Sequence, residues 1–330
     1  MNSFGKLFKL NIFGTSHGDS IGVLIDGIPA GLALKEEDFY NDLERRKPQK
    51  VGQTARKESD KPLLEAGIFN GYTTGAPLLI RFLNENTQSK DYSNLLNHPR
   101  PGHADFVAKE KYHGYNDYRG GGAFSGRLTT GIVAAGVVAK KLTDFDFETK
   151  LIMLGELDDL SKKDEYLAKI AQDGDSVGGV LRVVVRNVPI GLGEPYFYSV
   201  ESVISSLLYS IGAVKGVSFG IGFAGCDMLG SQFNDLIIDK TGKTATNHNG
   251  GINGGITNGN DIIVNVFIKP TPSIYKPQST YNFATEEISE LQIKGRHDSA
   301  IIERAMVVCE AAVAIALCDL WMLKKHNFVE

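Results

Sequence analysis

Residues 23–32, VLIDGIPAGL, recur in altered form as VVVRNVPIGL at residues 183–192. Each segment has an apolar run, then the pattern [IV]-P-x-G-L, then a stretch with helical character. The prolines of the two copies, Pro29 and Pro189, are separated by nearly half of the 330-residue chain. Turn residues are common enough for such a pattern to recur by coincidence. We favour a repeated strand–turn–helix unit, which predicts a single pseudo-symmetric domain over residues 1–330.

Two longer segments predict helices that are buried in this domain. Residues 124–142 carry several glycines and alanines, which suits a thin helix packed closely on two sides. Residues 301–323 are apolar around most of a helix circumference, as is typical of a helix inside a core. A shorter helix is predicted over residues 35–46. Strands are predicted over residues 21–25, 180–188 and 261–269.

The composition excludes several classes of protein. Hydrophobic residues make up 42% of the chain and charged residues 22%, which indicates a globular protein and not a disordered one. The net charge of −4 gives no global basic field, which argues against binding nucleic acid over the whole surface. No run of about 18 uncharged apolar residues occurs, and the N-terminus does not resemble a signal peptide. We therefore expect a cytoplasmic protein that does not interact with membranes.

Three segments indicate places where a negatively charged ligand would bind. Residues 45–57, RRKPQKVGQTARK, contain six basic residues and no acidic one, although a solvated helix end has the same composition. Residues 247–260, NHNGGINGGITNGN, contain five glycines, which allow backbone N–H groups to converge on a ligand. A flexible surface loop is the ordinary alternative for that segment. The run 269–273, KPTPS, places a cation and hydroxyls at the end of a predicted strand.

Three turns are candidates for acid–base chemistry. His17 lies in the turn at residues 14–18, His103 lies in RPGHAD, and Asp298 stands at the start of the C-terminal helix. The alternatives are a histidine satisfied within the fold and a carboxylate that only caps a helix.

Three consecutive glycines, residues 120–122, precede the helix predicted over residues 124–142. With Arg119 and Arg127 on either side, they predict a site for an anion or a carbonyl oxygen. The histidines and the three cysteines lack the spacing of metal ligands, so we expect no metal.

Taken in order, these segments resemble the chorismate synthase family over nearly the whole chain. No single motif is specific, but eight occur in series. The motifs are FGTSHG at 13–18, DLERRKP at 42–48, RPGHAD at 100–105, YRGGGAFSGR at 118–127, AVKG at 213–216, NHNGGINGGITNG at 247–259, KPTPSI at 269–274 and GRHD at 295–298. The resemblance implies an α+β fold, a β–α–β sandwich in which two antiparallel sheets enclose a helical layer, and a homotetramer.

The resemblance also implies a reaction. The family converts 5-enolpyruvylshikimate 3-phosphate to chorismate and phosphate by an anti-1,4-elimination, a step of aromatic amino acid biosynthesis that requires reduced FMN without net redox change. His17 matches the family histidine near the departing phosphate, and His103 matches the one thought to protonate or stabilise the reduced flavin. Asp298 matches the carboxylate that accepts the flavin N5 proton.

The implied substrate is a phosphorylated dicarboxylate, so its charges need cationic partners. The arginines expected to bind it are Arg45, Arg46, Arg119 and Arg127. Arg46 also matches a position described as contacting NADP in the family, although we expect the anion there to be substrate. The FMN contacts carried over by motif are Ala123, Phe124, Ser125, Gly212, Ala213, Gly254, Lys269, Pro270, Thr271, Pro272, Ser273 and Arg296.

The chain departs from the commonest family pattern at four positions. Thr15 stands where the first motif usually has glutamate. Ala123, Phe124 and Leu128 replace arginine, serine and glutamate, which removes side-chain anchoring at residue 123 but leaves backbone contacts. Because the three catalytic residues are intact, we expect an active enzyme with an altered flavin or substrate environment.

The chain leaves no room for a domain that oxidises NAD(P)H, so we expect an external source of reduced flavin. Two other functions stay open at this point. One is an FMN- or phosphoanion-binding protein without catalysis, and the other is a flavin oxidoreductase that acts on an unrelated substrate.

Overall fold

The computed structural model describes residues 2–48, 58–86, 95–293 and 298–326. The strands are β1 (Ser3–Phe4), β2 (Lys9–Gly14), β3 (Ser20–Asp26), β4 (Leu63–Ala66), β5 (Ile68–Phe69), β6 (Tyr72–Thr73), β7 (Leu78–Leu83), β8 (Asp146–Leu154), β9 (Gly179–Arg186), β10 (Val214–Phe219), β11 (Ile252–Asn253), β12 (Ile256–Thr257), β13 (Ile262–Ile268), β14 (Gln278–Asn282) and β15 (Glu287–Leu291). The α-helices are α1 (Tyr40–Arg46), α2 (Asp105–Lys111), α3 (Thr129–Thr143), α4 (Lys163–Gln172), α5 (Val200–Tyr209), α6 (Gly230–Phe233) and α7 (Ile302–His326).

Most of these strands form two antiparallel sheets that enclose a helical layer. In the described ranges the first sheet has the order β1-β2-β3-β7-β4, and the second has the order β10-β13-β9-β8. Helix α3 lies against β2, β3 and β7, while α7 lies against β8 and β9. The two helices also pack on each other, so they separate the sheets. The structure thereby confirms the predicted β–α–β sandwich.

Small side chains allow the two central helices to approach closely. A Cβ atom added to Gly136 of α3 would lie 2.7 Å from the Cα of Ala311 in α7, so the helix contact has no room for a larger residue. Residues 124–128, predicted as helix, instead form short 3₁₀ turns before α3. The helix itself begins at Thr129.

The [IV]-P-x-G-L repeat corresponds to a repeated structural unit. Strands β3 and β9 occupy equivalent inner positions in the two sheets. Strand β3 pairs with β7, and β9 pairs with β13. Val23 pairs with Ile80 in the first sheet, as Val183 pairs with Val264 in the second. The structure thus confirms the pseudo-symmetric repeat.

Each proline turn is held by a threonine from a two-stranded hairpin. The Oγ1 of Thr73 in β6 donates to the carbonyl of Pro29 (2.7 Å) and accepts from the N–H of Leu32 (2.9 Å). The Oγ1 of Thr257 in β12 makes the same pair of bonds, to the carbonyl of Pro189 (2.6 Å) and from Leu192 (2.9 Å). These hairpins belong to the repeat, although they were not predicted from the sequence.

The two ends of the sandwich differ in which strands and helices begin or finish there. Strands β2, β7, β8 and β13 finish at one end, where β3, β9, α3 and α7 begin. We call this the site end, because the predicted site segments at 14–18, 119–128 and 269–273 and residue 298 lie there. The opposite end carries the proline turns and the hairpins β5–β6 and β11–β12, and we call it the hairpin end.

Helix α7 has the length and composition of a membrane-spanning helix, with a mean hydropathy of 2.0 over its most apolar window. In the fold, however, 78% of that window is buried inside the protein. The buried carboxylate of Asp319 accepts hydrogen bonds from the backbone N–H groups of Leu7 and Phe8 at 2.8 and 2.9 Å. These contacts identify α7 as the core helix that the sequence predicts.

Candidate active site

The triglycine turn at residues 120–122 lies between the two candidate catalytic histidines. Gly120 has φ +58°, and a Cβ atom there would lie 2.6 Å from both Cδ2 and Nε2 of His17. A Cβ atom on Gly121 would lie 3.5 Å from Cε1 and 3.6 Å from Nε2 of His103. The two imidazole rings therefore meet successive residues of one turn. His17 is buried, with 9% of its surface exposed.

Hydrogen bonds from other segments fix the turn that carries His17. Asn84, which follows β7, donates from Nδ2 to the carbonyls of Thr15 (3.1 Å) and Gly18 (2.8 Å). The N–H of Ser16 donates to the carbonyl of Gly122 (3.2 Å). The turn is thus attached both to the first sheet and to the triglycine turn.

His103 lies in a compact group of polar side chains. Its Nδ1 is 2.6 Å from Oδ1 of Asp105. Arg100 donates from Nε to Oδ2 of Asp105 at 2.7 Å and from Nη2 to Oδ1 at 2.8 Å. Burial favours the neutral acid, but these hydrogen bonds from Arg100 and His103 hold the pKa of Asp105 well below its usual range. The carboxylate is therefore charged at neutral pH.

The loop Lys269–Ser273 meets this group directly. Nη1 of Arg100 donates to Oγ of Ser273 (2.9 Å), and Nζ of Lys269 donates to the carbonyl of Gly102 (2.8 Å). The N–H of Lys269 also donates to the carbonyl of Ala213 (2.9 Å), a residue held at φ +75°. Burial, reinforced by the charge of Lys215, lowers the pKa of Lys269. Two predicted flavin segments, residues 212–213 and 269–273, are thereby joined to the segment that carries His103.

A second cluster, formed by buried arginines, lies behind the His17 turn. The carboxylate of Asp60 pairs with both Arg46 and Arg127. Arg127 also donates from Nε to Oδ1 of Asn84 (3.0 Å), which connects the cluster to the turn. Burial lowers the pKa of Arg46 to about 10, against the opposing charge of Asp60, so the guanidinium remains protonated at neutral pH. Its Nε is buried and has no hydrogen-bond partner among the described residues.

Asp298 is joined to the same cluster through Arg304. The Nη1 of Arg304 donates to Oδ2 of Asp298 (2.7 Å), and its Nε donates to the carbonyl of Arg46 (3.0 Å). Contacts thus continue from the His17 turn to Asp298 across the site end. They pass through Asn84, Arg127, Asp60, Arg46 and Arg304.

Arg119 and the residues after the triglycine turn lie nearer to solvent. Arg119 makes a bidentate pair with Asp117 (2.8 and 2.9 Å), and its side chain is 43% exposed. Thr15, which replaces the usual glutamate, donates from Oγ1 to the same carboxylate at 3.2 Å. Phe124 is 47% exposed, and Ala123 is exposed beside it. Arg119, Ala123 and Phe124 therefore form an exposed rim of the candidate site, where a ligand could contact them.

Arg45, predicted to bind the substrate, is paired with two acidic side chains. Its guanidinium makes two 2.8 Å bonds to the carboxylate of Glu310 and a third, of 2.9 Å, to Asp42. Lys140 pairs with the same two acids. These acids neutralise the charge of Arg45 within the protein, although 37% of its side chain is exposed.

The glycine-rich segment is also placed differently from the expectation. Gly254 lies in the hairpin β11–β12, whereas Lys269 follows the far end of β13. The seven residues of β13 extend over about 20 Å, so within one chain Gly254 is far from the Lys269–Ser273 loop. Its segment closes the hairpin end of the sandwich. Arg296, the remaining predicted flavin contact, lies outside the described residues.

Several polar residues of the site were not predicted. Arg100 and Asp105 were inside a quoted motif, whose R-x-x-H-x-D spacing is a signal that sequence reasoning had available. Asn84 and Asp60 gave no such signal, because their partners are distant in sequence. Arg304 gave none because its bond to the carbonyl of Arg46 joins residues 258 apart.

Comparison with known proteins identifies the family of the chain. A model of the chorismate synthase family matches residues 8–322. The chain belongs to the chorismate synthase family. The enzyme of that name from Chitinophaga pinensis is 53% identical over 327 residues, which cover 99% of this chain and 98% of that protein. The chorismate synthase from Thermococcus gammatolerans is 43% identical, and the match covers 97% of this chain. The one from Methanocaldococcus jannaschii is 42% identical, and the match covers 100% of this chain. Each match covers 98% of the relative.

A solved structure gives the same result for the fold. A crystal structure of chorismate synthase superposes on this chain with a TM-score of 0.74 at 27% identity, covering 97% of this chain and 93% of the other. These matches confirm the family resemblance predicted from the eight motifs. Chorismate synthases are lyases of the shikimate pathway, in which aromatic amino acids are made.

Proposed function

We propose that the chain converts 5-enolpyruvylshikimate 3-phosphate to chorismate and phosphate at the site end of the sandwich. The observation that carries the proposal is the contact of His17 and His103 with successive glycines of one turn. Two titratable rings are thereby available to a single ligand beside that turn. Membership in the chorismate synthase family supports the same reaction.

The residues of the site suit FMN, the cofactor that this family uses in reduced form. Oγ1 of Thr271 is buried and without a hydrogen-bond partner among the described residues, in a loop that also presents Lys269. Gly212 has open space where a side chain would stand. The side chains and backbone that we propose to hold the flavin are those of Ala123, Phe124, Ser125, Gly212, Ala213, Lys269, Pro270, Thr271, Pro272 and Ser273, together with Arg296. Reduced FMN, when bound, would supply transient electron density to the elimination.

The chain's own residues would manage charge and protons during that reaction. As an imidazolium, His17 would stabilise the negative charge that develops on the departing phosphate. His103, through Nε2, would hold or donate a proton at the flavin. Asp298, whose Oδ2 is 2.7 Å from Nη1 of Arg304, would accept the proton from N5 of the flavin.

The buried arginine cluster would attract the anionic substrate. Three guanidinium groups, those of Arg46, Arg127 and Arg304, face two carboxylates, those of Asp60 and Asp298, within the described part of the cluster. A positive excess in a desolvated region favours a negatively charged ligand. The Nε of Arg46, which has no hydrogen-bond partner among the described residues, would donate to such an anion. Arg119, which is exposed, would contribute at the rim.

Anaerobic rapid mixing of the protein with reduced FMN and the phosphorylated substrate tests the proposal. We expect chorismate and phosphate in equal amounts, with the flavin still reduced at the end. His17→Ala should lower turnover about 10²-fold or more, while His326→Ala, an exposed histidine at the hairpin end, should leave it unchanged. Flavin binding without product would indicate a binding protein, and net oxidation of flavin would indicate an oxidoreductase.

The source of reduced flavin and the assembly are further parts of the proposal. We infer that residues 1–330 act as one domain without intrinsic reductase activity, so that reduced FMN is supplied from outside, and that the chain forms a homotetramer. NADPH oxidation by the pure protein with added FMN would contradict the first inference. A mass other than that of four chains in light scattering would contradict the second.

A further inference from the structure

Asp105 and Arg100 enclose one edge of the His103 imidazole. Asp105 Oδ1 lies 2.6 Å from Nδ1 of His103, and Arg100 Nη2 lies 3.1 Å from the same nitrogen. A carboxylate at 2.6 Å requires a hydrogen on Nδ1, because two sets of lone pairs would otherwise face each other. Arg100 Nη2 therefore donates to Asp105 and not to the ring. Nε2 is then the nitrogen that His103 presents towards Gly121.

The guanidinium of Arg100 connects this arrangement to a distant loop. It is bidentate to Asp105, and its remaining amino group donates to Oγ of Ser273 at 2.9 Å. The side chain is only 5% exposed, so these bonds are shielded from water. A displacement of Ser273 would therefore move Arg100 and, through it, the Asp105 carboxylate that orients the imidazole of His103.

We propose that Asp105, clamped by Arg100, is a positioning residue that holds His103 with Nε2 towards the triglycine turn, and that Arg100 couples this orientation to the Lys269–Ser273 loop. The inference rests on the proposed function of His103. Among the described residues, four charged or titratable groups surround this imidazole. They are Asp105 and Arg100 from its own segment, Lys269 from the loop, and His17 across the triglycine turn.

A double-mutant cycle tests whether Asp105 acts through His103. Asp105→Asn keeps the shape of the side chain but removes its charge. We expect it to lower kcat about tenfold or more, with KM changed less than about threefold, since a well-positioned proton-transfer group contributes about 10²–10⁴-fold. In the His103→Ala background the same substitution should have no further effect. An equal loss in both backgrounds would overturn the inference.

Two further variants extend the cycle. Ser273→Ala removes only the bond that links the loop to Arg100, and its loss of kcat should also disappear in the His103→Ala background. Asp146→Asn, which breaks an exposed pair with Arg186 at the start of β8, is the matched control and should leave kcat unchanged.

Nitrogen NMR of histidine-labelled protein without flavin reads the tautomer of His103 directly. The hydrogen should reside on Nδ1 in the neutral ring of the wild type and shift towards Nε2 in Asp105→Asn. A tautomer unchanged by the substitution would refute the positioning role even in an active enzyme. The expected tautomer in a protein that makes no chorismate would instead refute the proposed function alone.

Discussion

Substitution of Gly120 by alanine tests whether the triglycine turn sets the position of His17. At φ +58° the new residue would pay about 1–2 kcal/mol of backbone strain. Its methyl group would also lie 2.6 Å from Cδ2 and Nε2 of His17, whereas relaxed carbon contacts are about 3.5–4.0 Å. The imidazole must therefore move by about 1 Å, and a misplacement of that size costs about 10²-fold in rate.

We accordingly expect Gly120→Ala to lower kcat/KM about 100-fold in an anaerobic assay that follows chorismate. Gly114→Ala is the matched control, because Gly114 has φ +79° but no described atom within 4 Å of the new methyl group. Thermal unfolding should show comparable losses of a few degrees for both variants, on the order of 2–4 °C per kcal/mol. Wild-type kcat/KM in Gly120→Ala, or an equal loss of activity in Gly114→Ala, would refute the reasoning.

Three other predictions concern stability. Glu310→Gln should lower the free energy of unfolding by about 1–3 kcal/mol in urea titrations, because the buried carboxylate loses its charge-assisted hydrogen bonds to Arg45 and Lys140, which keep only Asp42; no measurable loss would contradict this prediction. Burial raises the pKa of Glu310, but Arg45 and Lys140 lower it to about 2, so its stabilising contribution is present above the ordinary value of 4.5 and disappears as the pH falls towards 2. Wild-type melting temperatures should therefore fall more steeply over that interval than those of Glu310→Gln, and parallel curves would argue otherwise. Thr73→Val and Thr257→Val should each cost about 1–3 kcal/mol, because each leaves a turn N–H unpaired; a loss in only one of them would contradict the equivalence of the hairpins.

The internal repeat was predictable because the proline pattern marks the same strand, turn and helix in both halves, whereas the sandwich was expected from the family resemblance. The hairpins that secure these turns carry a second repeat, Gly71-x-Thr73-x-Gly75 and Gly255-x-Thr257-x-Gly259. This repeat was overlooked because the second copy lies in a glycine-rich run whose composition also suits ligand binding. Positive φ angles at Gly255 and Gly259 show that these glycines serve the hairpin and the turn after it.

The candidate site was only partly predictable for a different reason. His17 and His103 stand in short motifs whose turns form locally, so sequence reasoning found them. The pairing of Arg45 was not predicted, because the carboxylate that neutralises it, Glu310, is 265 residues away in the chain. Local charge composition cannot reveal a partner that only the tertiary fold supplies, and the same holds for the bond of Arg304 to the carbonyl of Arg46.

The two halves of the chain differ at the positions where chemistry is expected. At the spacing of the two proline turns, His17 corresponds to Val177 and Gly18 to Gly178, while Asn84 corresponds to Ile268 at the spacing of the threonines. Val177 is buried, and its N–H bonds to the carbonyl of Ser299, next to Asp298. In the second half of the chain, the aliphatic side chain of Val177 thus stands at the position that corresponds to the His17 imidazole. We accordingly expect one reaction centre in each copy of the protein, and substrate titration should saturate at a single equivalent per chain.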